Sequence, residues 1–131
     1  MVENTIDQVL ALKTWAVVGL SKNEFRAAYS VAKLLQEKGH RIVPVHPSGD
    51  TVHGETGYKS LAEIPFPVDV VDLFVNSSLA GDVIDQAIAI GAKAVWLQLD
   101  VIEEAGVKRA TDAGLLAVMD RCPAIEYGKR R

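Results

Sequence analysis

Apolar residues fall in short clusters along this chain, and each cluster is followed by the three-to-four spacing of an amphipathic helix. Trp15–Val18, Arg41–Val45, Val68–Val75, Ala94–Leu97 and Leu115–Met119 read as five strands. Their nearly unbroken apolar character, in place of alternation, marks strands covered on both faces. Between the first two, a helix begins near Ala27, turns Val31, Leu34 and Leu35 to one side, and stops at Gly39. Ser78 is placed to cap a helix with Val83, Ile84, Ala87 and Ile88 on its inner face, ending at Gly91. Asp100 with Glu103 makes a capping-box-like start to another, ending at Gly114. Thr5, with Gln8 at the capping-box position, heads a leading helix within residues 1–12. Residues 47–66 are the longest irregular stretch, broken by Gly49, Gly54 and Gly57, with one helical turn capped by Ser60 and Glu63.

Strands alternating with helices predict an α/β chain in which residues 1–131 form a single domain. The expected architecture is a Rossmann-like three-layer sandwich on a five-stranded parallel sheet. In such sheets ligands bind beyond the carboxyl ends of the strands. The first of these ends is Gly19-Leu20-Ser21-Lys22, leading into a helix whose amides and dipole favour an anion. It carries neither three glycines for a dinucleotide fingerprint nor the second glycine of a P-loop, because Glu24 stands there. Lys22 and Arg26 instead suit a ligand with more phosphate charge than an ordinary dinucleotide. The second strand ends in Val45-His46-Pro47, without the acid that accepts from the ribose hydroxyls of NAD. His46 and the Ser48 and Gly49 amides are expected to donate to a ribose phosphate. The remaining ends offer Asn76-Ser77-Ser78, Gln98-Leu99-Asp100 and Arg121-Cys122-Pro123.

Composition narrows the partners. The net charge of −3 argues against nucleic acid, and no apolar run reaches the ~20 residues needed to span a bilayer. The N-terminus has no signal-peptide pattern, so a cytoplasmic location is expected. One cysteine, Cys122, excludes an internal disulfide and a cysteine-based zinc cluster. His40, His46 and His53 lack metal-ligand spacing. The basic end, residues 128–131, reads as a solvated tail.

A family resemblance rests on Gly19-Leu20-Ser21, Arg26, Tyr29, Val43-Pro44-Val45-His46-Pro47, Ser60-Leu61-Ala62-Glu63-Ile64-Pro65 and Val68-Asp69-Val70-Val71-Asp72. It continues through Ala89-Ile90-Gly91-Ala92-Lys93, Trp96-Leu97-Gln98-Leu99 and Met119-Asp120-Arg121-Cys122-Pro123-Ala124-Ile125-Glu126-Tyr127. The chain resembles the small stand-alone CoA-binding proteins, which are similar to the N-terminal CoA-binding domain of the succinyl-CoA synthetase α subunit. The resemblance implies coenzyme A lying across the first three strand ends. The Gly19-Leu20-Ser21 turn, Lys22 and Arg26 would hold its phosphates. Val45, His46 and Pro47 would flank the adenosine, and Val75, Asn76 and Ser77 would line the pantetheine path. Gln98 would lie towards the thiol. Ala28, His46, Val75 and Asp100 stand where the family commonly has Ser, Asn, Arg and Gly.

Each candidate has a plainer reading. An arginine at a helix N-terminus is disfavoured by the dipole, so a bound anion gives Arg26 a reason to be there. Lys22 is as readily a solvated loop lysine, and Tyr29, Trp15 and Trp96 are as readily packing residues. Asp69 and Asp72 bracket a strand, where solvation or capping is the expected role. Cys122 is ordinarily an inert, partly buried thiol, but it follows Arg121 at a strand end expected to face the cleft, which would place it near the thiol of CoA. No nucleophile, base or paired-carboxylate arrangement is evident. In the synthetase that the chain resembles the phosphorylated histidine lies in a second domain, and no counterpart of that domain is expected within residues 1–131. The expectation is therefore a non-catalytic binder of coenzyme A or acyl-CoA, a carrier, sensor or regulator, with a homodimer open. The alternative is a nicotinamide-dinucleotide-binding regulatory or oxidoreductase-like domain.

Overall fold

The computed structural model describes residues 2–130. Eleven elements follow in order: α1 (Val2–Leu10), β1 (Thr14–Val18), α2 (Ala27–Glu37), β2 (Arg41–Val45), a 3-10 turn (Leu61–Glu63), β3 (Val70–Leu73), α3 (Ser77–Ala89), β4 (Ala94–Leu97), α4 (Glu104–Asp112), β5 (Leu116–Val118) and α5 (Pro123–Gly128). The five strands form one sheet, parallel throughout, in the order β2-β1-β3-β4-β5. The chain runs from β1 outward to β2 and returns to β3 on the other side of β1. Strand order thus reverses between β1 and β3, where doubly wound sheets open a crevice.

Alternate residues of each strand feed two cores. Trp15, Val17, Val70, Ala94 and Trp96 pack on one face against Ile6 and Val9 of α1 and Val31 and Leu35 of α2, with Tyr127 of α5 at the edge. Ala16, Val71, Leu73, Val95 and Leu97 pack on the other against Val83, Ile84 and Ala87 of α3 and Ala110 of α4. Both tryptophans are fully buried, and each indole N–H is satisfied by a carbonyl: Leu12 for Trp15 at 3.0 Å, Arg121 for Trp96 at 2.8 Å.

Several local expectations need correcting. Thr5 lies inside α1 and does not cap it. Asn76 precedes α3, with Ser78 already in its first turn. The N-cap of α4 is Glu103, whose carboxylate accepts from the Gly106 amide at 3.2 Å; Asp100 belongs to the preceding turn. Strand β3 is shorter than its apolar run, and the two aspartates do not bracket it: Asp69 precedes it and Asp72 lies within it. Helix α5 was unforeseen: six residues give no periodicity, although Pro123 at its first turn is a start signal. The basic tail is also not free. Arg130 donates to Asp7 at 2.6 Å, Glu3 at 2.9 Å and Glu126 at 3.2 Å, fastening the chain's end to α1. Arg131 lies outside the described residues.

Candidate functional site

A cleft of about 770 Å³ opens beyond the carboxyl ends of β1, β2, β3 and β4. Its floor is the Gly19 turn. Gly19 has φ +102°, and a Cβ there would collide with the carbonyl oxygen of Phe74, so only glycine fits between β1 and the end of β3. Beyond the turn, α2 begins with Arg26 as its N-cap residue and without a side-chain cap. Among the described residues no acceptor meets the Ala27 and Ala28 amides, and both residues line the cleft. These donors and the positive end of the helix dipole face the same space. Arg26 lines it too, and its guanidinium has no carboxylate partner among the described residues.

The β2 end contributes Val45, His46 and Pro47. The Ser48 amide donates to His46 Nδ1 at 3.1 Å, so in the neutral ring the hydrogen sits on Nε2. Gly49 N–H donates to the His46 carbonyl at 2.9 Å. The two backbone donors expected for a ribose phosphate are therefore consumed within the loop, and His46 Nε2–H is the donor that remains. Lys59 stands beside this loop, its stem 3.4 Å from where a Gly49 Cβ would be. It arrives there because Tyr58 bridges Val45 in parallel register, laying residues 59–61 along the cleft wall. Nothing in the sequence flagged Lys59, since its position depends on that single bridge. The long loop is otherwise tied to α2: Gln36 donates to the His53 carbonyl at 3.0 Å, and the His53 ring packs on Tyr29 at 4.4 Å.

On the β3 and β4 side the cleft is lined by Phe74, Val75, Asn76, Leu79, Val83, Gln98, Leu99 and Val101. Gln98 is 6% exposed, and its Oε1 is buried with no hydrogen-bond partner. Such an acceptor carries a desolvation cost that a donor from a ligand would relieve.

Of the thirteen residues read from the sequence, the structure brings Gly19, Ser21, Arg26, Val45, His46, Pro47, Val75, Asn76 and Gln98 to this cleft. Four lie elsewhere. Leu20 is fully buried in the core below the turn. The Lys22 amide donates to Asp50 at 3.1 Å, holding that carboxyl below the usual carboxylate range, and Lys22 is not among the residues that line the cleft. Ser77 Oγ accepts from the Ile102 amide at 2.9 Å and donates to the Asp100 carbonyl at 3.3 Å, bracing the loop after β4. Cys122, 9% exposed, packs with Leu20, Ala28 and Trp96 in the core on the α2 side. Arg121 beside it faces Glu126 at 3.6 Å and Glu3 at 3.7 Å. The end of β5 shares the sheet edge with the Gly19 turn, but β3 and β4 separate them.

The comparisons with known proteins agree with this geometry. The model of a CoA binding domain matches residues 13–128, and the chain belongs to that family. An uncharacterised protein of Bacillus subtilis, YneT, is 33% identical over 115 residues, covering 88% of this chain and 85% of that one. A hypothetical protein from Pyrococcus horikoshii OT3 superimposes with a TM-score of 0.92 at 37% identity, over 98% of this chain and 92% of that one. The ADP-forming acetate–CoA ligase of Methanocaldococcus jannaschii is 27% identical over 81 residues, which is 62% of this chain but 12% of the ligase. Among the described residues no helix is long and apolar enough to cross a membrane.

Proposed function

We propose that this chain binds coenzyme A or an acyl-CoA in the cleft above β1, β2 and β3 without transforming it, acting as a carrier, sensor or regulator. The observation that carries the reading is the join of the Gly19 turn to the uncapped start of α2, with Arg26 beside it. Amides, a helix dipole and a guanidinium that have no partner among the described residues converge where a pyrophosphate would sit. His46 Nε2–H and Lys59 add two donors near β2, which suits a further phosphate on the ribose and leaves no acid for an NAD ribose. Residues from the β1 end to Gln98 fit a ligand laid across several strands, each spaced ~4.8 Å from the next. The non-catalytic reading is supported by the lining itself. Among the described residues it carries no carboxylate and no thiol, and its imidazole, His46, has Nδ1 already held by the Ser48 amide.

The test is thermal melting with coenzyme A and with NAD at millimolar concentration, followed by titration calorimetry. At about 100 times its dissociation constant a ligand stabilises by ~2.7 kcal/mol, a melting shift of about 5–15 °C at this size. Coenzyme A gives that shift and NAD gives little. Arg26→Ala loses a charge-assisted bond of about 1.5–3 kcal/mol and weakens coenzyme A binding roughly 10- to 150-fold. A larger shift with NAD, or an unchanged affinity in the variant, overturns the assignment.

A further inference from the structure

The cleft is chemically divided along its length. Arg26, His46 and Lys59 stand at its β1 and β2 end. At the β3 and β4 end the lining is mostly apolar, with Val75, Leu79, Leu99 and Val101, and its polar side chains are the uncharged amides of Asn76, Gln86 and the buried Gln98. Leu79 is 55% exposed and Leu99 48%, two of the few large apolar side chains this chain leaves in water. Scattered exposed leucines need no explanation, but here two face one cleft, continuous with buried apolar lining. The basic residues of the lining among the described residues are Arg26, His46 and Lys59, and none of them belongs to α3 or to the loop after β4.

Resting on the reading of the site as one for coenzyme A, we propose that its ligand is an acyl-CoA with an uncharged aliphatic acyl chain, seated on Leu79 and Leu99. A pantetheine arm crossing from β1 to β4 ends in an amide N–H followed by the sulfur. The unpartnered Gln98 Oε1 is the acceptor for that N–H. What extends beyond the sulfur then meets Leu99, Val101 and Leu79, which exclude water from methylenes and offer nothing to a carboxylate. A free thiol leaves this surface exposed, and a carboxylated acyl group would bury a charge against it.

Titration calorimetry with coenzyme A, acetyl-CoA, hexanoyl-CoA and succinyl-CoA tests this on the wild type and on a Leu79→Gln, Leu99→Gln double variant. Both leucines are half exposed, so the variant keeps its fold, checked by its circular dichroism. Each methylene buried is worth up to about fourfold. Partial coverage makes hexanoyl-CoA roughly 10- to 100-fold tighter than coenzyme A in the wild type, and succinyl-CoA no tighter. In the double variant the ratio of hexanoyl-CoA to coenzyme A affinity falls to within about threefold of one. If coenzyme A binds but hexanoyl-CoA binds no better, the acyl proposal alone is overturned. The same follows if succinyl-CoA gains as much, or if the double variant keeps the wild-type ratio. If neither coenzyme A nor any thioester binds, the reading of the site falls and this proposal with it.

Discussion

Asp72 offers the sharpest test of how the sheet is built. It lies in the middle of β3, paired with Val17 of β1 and Trp96 of β4, and is 0% exposed. Neither carboxyl oxygen has a hydrogen-bond partner. Burial pushes its pKa well above the ordinary 3.8, so the folded chain keeps this proton to higher pH than the unfolded chain does. Leucine has the same branched outline without polar atoms. Asp72→Leu therefore removes an unsatisfied buried group worth about 1–3 kcal/mol while keeping the packing. For a domain of this length that raises the melting temperature by roughly 3–15 °C. The pH dependence separates this from a general packing gain. Above pH 3.8 the unfolded chain releases the Asp72 proton and the folded chain keeps it. The unfolded state then binds fewer protons, and wild-type stability falls with rising pH by up to ~1.36 kcal/mol per unit until the folded group ionises. Urea denaturation of both proteins from pH 4 to 9 isolates this slope as a difference, because other titrating groups cancel. The gain in the leucine variant must widen as pH rises. Asp72→Asn removes the ionisation but not the polar burden, so it keeps the widening and loses most of the gain near pH 4. A leucine variant less stable than wild type with a flat difference would refute the reasoning, since the carboxyl would then have a partner.

Two further outcomes follow from particular contacts. Gly19→Ala forces a Cβ against the Phe74 carbonyl at φ +102°, so it costs about 3 kcal/mol or more, and the melting temperature falls together with coenzyme A affinity. His40 donates from Nδ1 to the Leu12 carbonyl at 2.8 Å and accepts the Tyr127 hydroxyl on Nε2 at 2.5 Å. Burial holds its pKa below 6.5, so stability is lost as pH falls through that value, where the unfolded histidine protonates first. Tyr127→Phe strands Nε2 and lowers stability by about 1–2 kcal/mol at pH 8, read by denaturation; equal stability there would discount the bond.

Much of the fold was legible because the strands are covered on both faces. Arg41–Val45 and Ala94–Leu97 coincide in pattern and structure, since every residue of these strands but the exposed Arg41 is buried and apolar. The same rule overextended β3. Val68 and Val75 continue the apolar run, yet pairing with β1 and β4 spans only Val70–Leu73, and Val75 turns into the cleft. Capping was read less well, because serine, threonine and aspartate near a helix start fit several adjacent positions. Only the backbone decides that Asn76 flanks α3 and that Glu103 caps α4.

The cleft residues divide by how local their cause is. Gly19, Arg26 and His46 follow directly from strands ending in the sequence, and the turn geometry carries them to the ligand side. Cys122 also follows a strand end, but a sequence lists such ends in one dimension while the sheet arranges them in two. The order β2-β1-β3-β4-β5 puts the opening beside β1 and β3, and β5 at the far margin. Beyond β5 the chain turns into α5, which packs against α2, and Cys122 at its N-cap joins the core on that side. Gln98 passes both tests, since β4 adjoins β3 and its amide is buried in the cleft wall. Position along the sheet edge also explains the change in lining. Cations cluster at β1 and β2 beside the uncapped start of α2, and leucines take over in the first turn of α3 and the loop after β4.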